Sequence, residues 1–176
     1  KNIILDLRGN GGGLLRESVN IVNFFVNKGT KVVSTKGKIK DWDKEYVALN
    51  DPIDTDIPVV VLVNGGSASA SEIVSGSLQD NDRAVIMGSL SFGKGLVQQV
   101  RPLSYNSKLK VTVAKYYTPS GRCIQKLDYS NKNDKGKADA IPDSLITEFK
   151  TVNSKRPVFD GKGVAPDIEV KNKLLS

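Results

Sequence analysis

One stretch of the sequence constrains the fold more than any other: residues 59–98, where an apolar strand runs into a serine-rich turn and then a helix. Val59–Val63 is continuously apolar and rich in β-branched residues, as expected for a strand covered on both faces. The turn NGGSASASE follows, and apolar residues recur at helical spacing over residues 70–79. This order predicts the strand–turn–helix unit of an α/β domain.

The rest of the chain also alternates predicted strands and helices. Residues 2–8 predict a buried strand, the glycine loop GNGGG follows at 9–13, and apolar residues then recur at helical spacing from Leu15 to Val26. Residues 109–117 alternate apolar and polar side chains, which predicts a half-buried strand. Shorter signals predict strands over 30–35, 84–87 and 96–100, a mobile polar surface insertion over 126–141, a short helix over 142–150, and an edge strand at the end of 164–170. The order is typical of a layered α/β domain.

The length and composition indicate one domain. The chain has 176 residues, of which 39% are hydrophobic, and this is enough for one sizeable core. It begins with KNIILDLRG, which reads as a strand with no cap or turn before it, so we expect a fragment that lacks its N-terminal part. No apolar run approaches the roughly 18 residues that span a bilayer. The single Cys123 excludes an internal disulfide.

The charged residues narrow the functional classes. The net charge of +7 raises nucleic acid as a partner, but the lysines are mixed with acids and no nucleic-acid-binding signature accompanies them. We therefore expect a solvated basic surface and no nucleic acid partner. The chain contains no histidine, which excludes a Ser-His-Asp or Cys-His site and removes the commonest zinc ligand. Acid–base chemistry here needs Lys, Asp, Glu or Tyr.

The serines of the turn are candidate nucleophiles. Ser67, Ser69 and Ser71 follow two glycines at the junction of strand and helix. Free backbone N–H groups and the helix dipole favour a developing negative charge at such a place. The alternative is that one of the serines only caps the helix.

Lys94 is the candidate base. A lysine acts as a general base only when its pKa falls from about 10.4 toward the working pH. Gly93 and Gly95 let the backbone approach closely, and apolar neighbours such as Phe92 and Leu96 would disfavour the charged form. The alternative is a solvent-exposed loop lysine. A serine at a strand–helix turn and a lysine between glycines together predict a serine–lysine hydrolase core.

Two glycine loops have competing interpretations. Residues 88–95 match most of a phosphate-binding P-loop, but Gly95 stands where the metal-binding Ser or Thr belongs and a strand follows, so we expect no nucleotide site. The loop at 9–13 lacks the third glycine of a dinucleotide turn, because Leu14 occupies that place. It is otherwise either a flexible connection or a source of N–H donors for an oxyanion.

Two further side chains are open to interpretation. Cys123 has no histidine to activate it, which favours a structural thiol over a nucleophile. Asp80, at the end of the predicted helix, is either a helix-terminal carboxylate or a partner of the lysine.

Five motifs in order resemble the carboxyl-terminal processing peptidases, also called tail-specific proteases. The combination is specific and spans nearly the whole chain, although each motif alone would be weak. Gly11 stands where many members have proline, which should loosen the loop without removing a donor. The matching segments are LDLRGNGGGLL at 5–15, VLVNGGSASASEIVSGSLQDNDRAVIMG at 61–88, SFGKGLVQQ at 91–99, KVTVAKYYTPSGRCIQ at 110–125 and GKGVAPDIEV at 161–170.

The resemblance implies a role for seven residues. It makes Ser69 the nucleophile, Lys94 the base, Gln98 the residue that orients the lysine and Asp80 the aspartate after the nucleophile helix. It further implies an oxyanion hole formed by the backbone N–H groups of Ala70 and of the loop around Gly12 or Gly13.

The resemblance also implies the fold, the reaction and the setting. The fold would be the crotonase- and ClpP-like αβ superhelix, a layered sheet with packed helices, and residues 1–176 would form a catalytic core without the PDZ domain that usually precedes it. The reaction would be cleavage near the C-termini of protein or peptide substrates through an acyl-enzyme, without a metal or cofactor. Members usually work in the bacterial envelope or the chloroplast lumen; membrane attachment of the parent and oligomerisation stay open.

Two other functional classes remain as alternatives. The first is a non-catalytic relative that binds peptides or scaffolds an assembly. The second is a crotonase-type acyl-CoA enzyme, since that fold also uses glycine-loop oxyanion holes; the SASASE and FGKG motifs argue against it.

Overall fold

The structure is a computed structural model that describes residues 1–170, without the side chains of residues 131 and 132. Residues 171–176 of the expected domain lie outside the described residues. The helices are α1 (Leu15–Asn23) and α2 (Ala70–Asp80). The strands are β1 (Ile3–Asp6), β2 (Lys31–Gly37), β3 (Lys44–Val47), β4 (Val59–Val63), β5 (Val85–Gly88), β6 (Leu96–Pro102), β7 (Lys108–Tyr117), β8 (Leu127–Lys132), β9 (Ala138–Ala140), β10 (Glu148–Lys150), β11 (Pro157–Phe159) and β12 (Ile168–Glu169).

A parallel four-stranded sheet contains the apolar strand Val59–Val63. Its order is β1-β4-β5-β12, with Ile3 opposite Val59 and Val60 opposite Val85. The predicted strands at 2–8, 59–63 and 84–87 and the edge strand near the end are confirmed. Burial differs from the prediction for β4: Val59, Val61 and Val63 face the core, whereas the other face of the sheet is only partly covered, and Ile4 in β1 is 69% exposed.

Helix α2 forms the centre of the core. All eleven of its residues are buried, and it contacts both β5 of the parallel sheet and β2 of the second sheet. Its buried hydroxyls are satisfied by carbonyl oxygens: Ser75 donates to Ser71 at 2.9 Å, and Ser77 donates to Val32. A helix between two layers must satisfy its polar side chains in this way, because no water reaches them. The predicted helix over 70–79 is confirmed.

A second, antiparallel sheet has the order β3-β2-β7-β6. Strands β3 and β6 form the two edges of this sheet. The pairing of β6 with β7 is interrupted by a bulge between Val97 and Gln98. The half-buried prediction for 109–117 is wrong for the first part of β7, where Leu109 and Val111 are 48% and 38% exposed, because this end of the β6–β7 pair extends beyond the core.

The C-terminal third contains two hairpins. The segment 126–141, expected as a surface insertion, contains the pair β8–β9, which is antiparallel. The predicted helix over 142–150 is wrong: a single 3-10 turn (Asp143–Leu145) is followed by β10, which pairs with β11 so that Phe149 lies opposite Val158. Pairing with the next strand, across the loop of residues 151–156, has overridden a weak local helix signal.

The fold class is therefore confirmed as mixed α/β with layered sheets, while the superhelical description stays a prediction. Within residues 1–170, no helix is both long and apolar enough to cross a membrane.

Candidate functional site

The three serines of the turn differ in their hydrogen bonds. The Ser67 hydroxyl donates to the carbonyl of Leu7 (2.7 Å), and the Ser71 hydroxyl donates to the carbonyl of Asn10 (3.0 Å). Both side chains therefore brace the glycine loop against the turn, and both residues are buried. Ser69 lies between them and is half-buried. Among the described residues, the Ser69 hydroxyl donates to neither Leu7 nor Asn10, which distinguishes it from the other two.

The backbone of Ser69 is in an unusual conformation. Its φ is 58° and its ψ is −115°, immediately before the first residue of α2. A non-glycine residue with positive φ is uncommon and costs on the order of 1–3 kcal/mol, so it persists only where the surroundings hold it. Such strain clusters at functional turns.

Glu72 holds this turn to the loop of Lys94. Its carboxylate is fully buried and accepts four hydrogen bonds. Oε2 accepts the backbone N–H groups of Ser69 (2.9 Å) and Lys94 (2.8 Å), and Oε1 accepts the backbone N–H of Gly93 (2.6 Å) and the Ser91 hydroxyl. The spacing S-x-x-E of a capping box is the sequence signal that could have identified Glu72.

The glycine loop approaches the same turn from the other side. A Cβ on Gly12 would lie 2.8 Å from the Ala70 nitrogen and 2.9 Å from Ser69 Cβ, and Gly12 has a φ of +100°. The N–H of Gly12 is engaged, since it donates to Asn10 Oδ1 at 2.9 Å. In the described part of the chain, the N–H groups of Gly13 and Ala70 donate to no acceptor. Both residues line a cavity of about 130 Å³.

Lys94 and Gln98 line a different and larger cavity. It measures about 740 Å³, and Ser69 is not among its lining residues. Apolar side chains such as Leu96 and Ile141 form part of its wall, and Lys115 is a second cation there. Among the described residues, no hydrogen bond joins Lys94 Nζ to Ser69 Oγ. The structure brings the backbone of Lys94 to Ser69 through Glu72, but it does not join the two side chains.

Asp80 lies at the opposite end of α2 from Ser69. Its carboxylate forms an ion pair with Arg122 (2.8 Å), and the two side chains are 0% and 1% exposed. It also accepts the Thr118 hydroxyl and the Ser120 N–H (3.0 Å). An eleven-residue helix is about 16 Å long, so the structure does not bring Asp80 to the turn of Ser69.

Tyr116 is a second neighbour of Ser69 for which the sequence analysis gave no role. The Ser69 hydroxyl lies near enough to the Tyr116 phenol to affect its pKa. Burial raises the pKa of the Tyr116 phenol, and the Ser69 hydroxyl lowers it and so offsets part of that rise. A buried tyrosine at the end of a half-exposed strand was the available signal, but strand alternation does not reveal which residue it faces.

Cys123 is the remaining candidate of the sequence. Burial raises the pKa of the Cys123 thiol, which fits a structural thiol. Across residues 1–170, no group of three or more Cys, Asp or Glu side chains is arranged to hold a metal ion.

Comparisons with known proteins agree on one family. The model of Peptidase family S41 matches residues 1–130. The carboxy-terminal-processing protease of Bartonella bacilliformis is 50% identical over 125 residues, which cover 71% of this chain and 29% of that protein. The chloroplastic C-terminal processing peptidase of Tetradesmus obliquus is 45% identical over 129 residues, covering 73% of this chain and 27% of that protein.

Solved structures show the same similarity. The photosystem II D1 C-terminal processing protease superposes with a TM-score of 0.70 at 33% identity, covering 99% of this chain and 36% of that one. A putative S41 protease from Bacteroides fragilis superposes with a TM-score of 0.65 at 14% identity, covering 97% of this chain and 38% of that one, which supports the fold alone. The chain spans less than a third of the length of these two curated relatives.

Proposed function

The chain belongs to peptidase family S41, and we propose that it is the catalytic core of a serine endopeptidase that cleaves protein substrates near their C-termini. The observation that carries this proposal is the carboxylate of Glu72, which binds the backbone N–H groups of Ser69 and Lys94 through one oxygen. A strained serine turn and a glycine-flanked lysine loop are thereby held together at the N-terminus of a buried helix. In this proposal Ser69 is the nucleophile and Lys94 the general base.

The proposed reaction is acyl transfer in two steps. Neutral Lys94 accepts the proton of the Ser69 hydroxyl while Oγ forms a bond to the substrate carbonyl carbon. The tetrahedral intermediate collapses, the peptide C–N bond breaks, and the leaving amine takes the proton from Lys94. Water then attacks the ester with Lys94 again as base, which releases the new carboxylate and restores Ser69.

We infer that the N–H groups of Gly13 and Ala70 stabilise the oxyanion. Neither has an acceptor among the described residues, and Ala70 is the first residue of α2, where the helix dipole favours negative charge. Gly12 has a different part in this proposal: its own N–H is engaged, and its lack of a side chain lets the loop lie against Ser69.

Catalysis in this proposal includes a movement of the Lys94 side chain. Because Lys94 Nζ makes no hydrogen bond to Ser69 Oγ in the described structure, the side chain must turn from the 740 Å³ cavity toward the serine. Gln98, which lines the same cavity, would hold the lysine amine in its working position. Asp80 we assign to the support of α2 through its buried ion pair with Arg122.

The substrates we infer are proteins or peptides bound through their C-terminal segments. The two relatives named above are a carboxy-terminal-processing protease and a C-terminal processing peptidase, and one of them is chloroplastic. The cavity beside Lys94 is suited to apolar peptide side chains. We place the protein in a bacterial periplasm or cell envelope and expect neither a nucleic acid partner nor a cofactor. For the parent protein, the proposal also includes a PDZ domain, a membrane anchor and oligomerisation.

One observation favours a second candidate, a peptide-binding relative without catalysis. The absence of a bond between the side chains of Lys94 and Ser69 within residues 1–170 is what such a protein would show. Peptide binding without cleavage would support this candidate.

The test is cleavage of a protein substrate by the full-length protein, followed by mass spectrometry of the products. We expect cuts near the substrate C-terminus, and their complete loss in Ser69→Ala and Lys94→Ala. Ser71→Ala is the matched control for the hydroxyl, since Ser71 is engaged with Asn10. Retained turnover in either Ser69→Ala or Lys94→Ala would contradict the assignment.

A further inference from the structure

Asn64 connects the turn of Ser69 to the glycine loop. It directly follows the last residue of β4 and is half-buried. Its side-chain oxygen Oδ1 accepts two backbone N–H groups, that of Gly66 in the turn and that of Gly9 in the glycine loop, each at 2.9 Å. One side-chain atom therefore binds two segments that are far apart in the sequence.

The backbone of Asn64 is itself held in place by Ser67. Its N–H donates to the Ser67 hydroxyl oxygen (3.0 Å), and its carbonyl oxygen accepts the Ser67 N–H (2.8 Å). The Ser67 hydroxyl in turn donates to the carbonyl of Leu7, and Ser67 is fully buried. A side chain on a backbone that is fixed in this way holds its own partners more precisely.

The two segments also touch through their backbones. A Cβ on Gly66 would lie 2.9 Å from the Gly9 Cα and 3.2 Å from Asn64 Oδ1, so a glycine at this position lets the segments approach each other. Further along the loop, the carbonyl oxygen of Asn10 accepts the N–H of Ala68 at 3.0 Å. The glycine loop is thus attached to the turn at both Gly9 and Asn10.

We propose that Asn64 is a positioning residue that sets the separation of the two oxyanion donors, the N–H groups of Gly13 and Ala70. This inference rests on the proposed function. Gly13 ends the glycine loop and Ala70 follows the turn of Ser69, so contacts between the two segments set the distance between the donors. Asn64 acts through these donors and does not itself take part in the reaction.

The effect of such positioning falls on the transition state. An oxyanion donor is effective at about 2.7–3.1 Å from the position that the oxyanion occupies, so a displacement of the loop weakens the bond from Gly13. The negative charge develops only as Ser69 Oγ bonds to the substrate carbonyl carbon. An interaction made only in the transition state changes kcat and leaves KM unaffected.

The first test compares Asn64→Ala and Asn64→Asp with the wild type in the full-length protein. Alanine removes the acceptor, and we expect kcat for peptide cleavage to fall by about 10- to 100-fold at an unchanged KM. Aspartate keeps an oxygen acceptor at this position and should recover most of the lost rate. The control is Asn133→Ala: Oδ1 of Asn133 also accepts two backbone N–H groups, but in the turn between β8 and β9, and we expect the wild-type kcat.

A second measurement separates this role from a merely structural one. A peptide aldehyde forms a tetrahedral adduct with Ser69, and its affinity should fall in Asn64→Ala by the same factor as kcat. Gly66→Ala, in which the new Cβ would press on the backbone of Gly9, should lower both quantities as well. Gly65→Ala is its matched control, because a Cβ there would meet nothing within 4 Å.

The outcomes distinguish this inference from the proposed function. An unchanged kcat in Asn64→Ala, a change in KM alone, an unchanged aldehyde affinity, or an Asn64→Asp variant as slow as Asn64→Ala would overturn the role of Asn64 and leave the proposed function standing. A wild type in which a fluorophosphonate does not label Ser69 would overturn the proposed function and this inference with it.

Discussion

Glu72 and Lys94 are joined by a direct hydrogen bond, in which Oε2 of the buried carboxylate accepts the backbone N–H of Lys94 at 2.8 Å. The same oxygen accepts the N–H of Ser69 at 2.9 Å. One atom therefore sets the separation between the turn of the proposed nucleophile and the loop of the proposed base. Pre-organisation of this kind is what catalysis by positioned groups requires.

Glu72→Gln tests this connection. The amide would turn an NH₂ group toward donors that now face a carboxylate, so at least one N–H or O–H loses its acceptor. We expect a loss of about 2–3 kcal/mol in the free energy of unfolding and at least a tenfold fall in kcat. Urea unfolding and a peptidase assay measure the two effects. Glu148→Gln, on an exposed part of β10, should change neither, and full activity of Glu72→Gln would contradict the positioning role.

Gly12→Ala tests the close approach of the glycine loop. The new Cβ would lie 2.6 Å from the Ala68 carbonyl oxygen, at a φ of +100° that alanine rarely adopts. We expect a marked loss of activity and a destabilisation of about 1–3 kcal/mol. The control is Gly11→Ala, where a Cβ would meet nothing within 4 Å, and we expect it to behave as the wild type. Equal unfolding temperatures and equal turnover of Gly12→Ala and Gly11→Ala would show that the loop does not depend on the close contact between Gly12 and the turn of Ser69.

The buried ion pair of Asp80 and Arg122 supports the far end of α2. Arg122→Met leaves the Asp80 carboxylate without its cation, and we expect it to destabilise the protein by about 3–5 kcal/mol. The double variant that combines Arg122→Met with Asp80→Asn should lose less unfolding free energy than the two single variants lose in sum. Denaturant unfolding of the wild type, both single variants and the double variant measures this difference. The folded fraction of Asp80→Asn should label Ser69 at the wild-type rate. A selective loss of labelling there would instead indicate that Asp80 takes part in catalysis.

The ionisation of Asp82 should make the free energy of unfolding depend on pH under acidic conditions. Burial raises the pKa of Asp82, but hydrogen bonds from Ser154 and Arg156 outweigh that effect and lower the pKa to about 2. Because an unfolded aspartate has a pKa of about 3.9, the stabilisation is present above pH 4 and is lost as the pH falls from 4 toward 2. Asp82 has a φ of 55°, which asparagine also tolerates.

We therefore expect Asp82→Asn to lose about 1–2 kcal/mol of unfolding free energy at pH 7. The difference from the wild type should shrink between pH 4 and pH 2, as measured by urea unfolding across that range. Asp56→Asn, at an exposed position, is the control. A difference that stays constant with pH would mean that the Asp82 contacts do not depend on its charge.

The centre of the fold was predictable from sequence because its signals are local. The apolar run Val59–Val63, the helical spacing after it and the glycines around Lys94 each determine a short segment. The second helix was predicted within one residue of α2 (Ala70–Asp80). The segment 142–150 was not, because its structure depends on pairing between β10 and β11.

The candidate site was only partly predictable for the same reason. Three serines at one turn look equivalent in sequence, and only their hydrogen bonds to Leu7 and Asn10 distinguish Ser67 and Ser71 from Ser69. Tyr116 follows Ser69 by 47 positions and reaches it through the packing of two sheets, which no local pattern encodes.

The most direct test of Ser69 as the nucleophile and Lys94 as its base is to identify the residue that an acylating probe modifies. The full-length protein is treated with a fluorophosphonate, digested and mapped by mass spectrometry, alongside Lys94→Ala and the exposed-lysine control Lys126→Ala. We predict one adduct, on Ser69, formed at similar rates in the wild type and Lys126→Ala and almost absent in Lys94→Ala. An adduct on another residue, or labelling of Ser69 that is unaffected by the loss of Lys94, would contradict it.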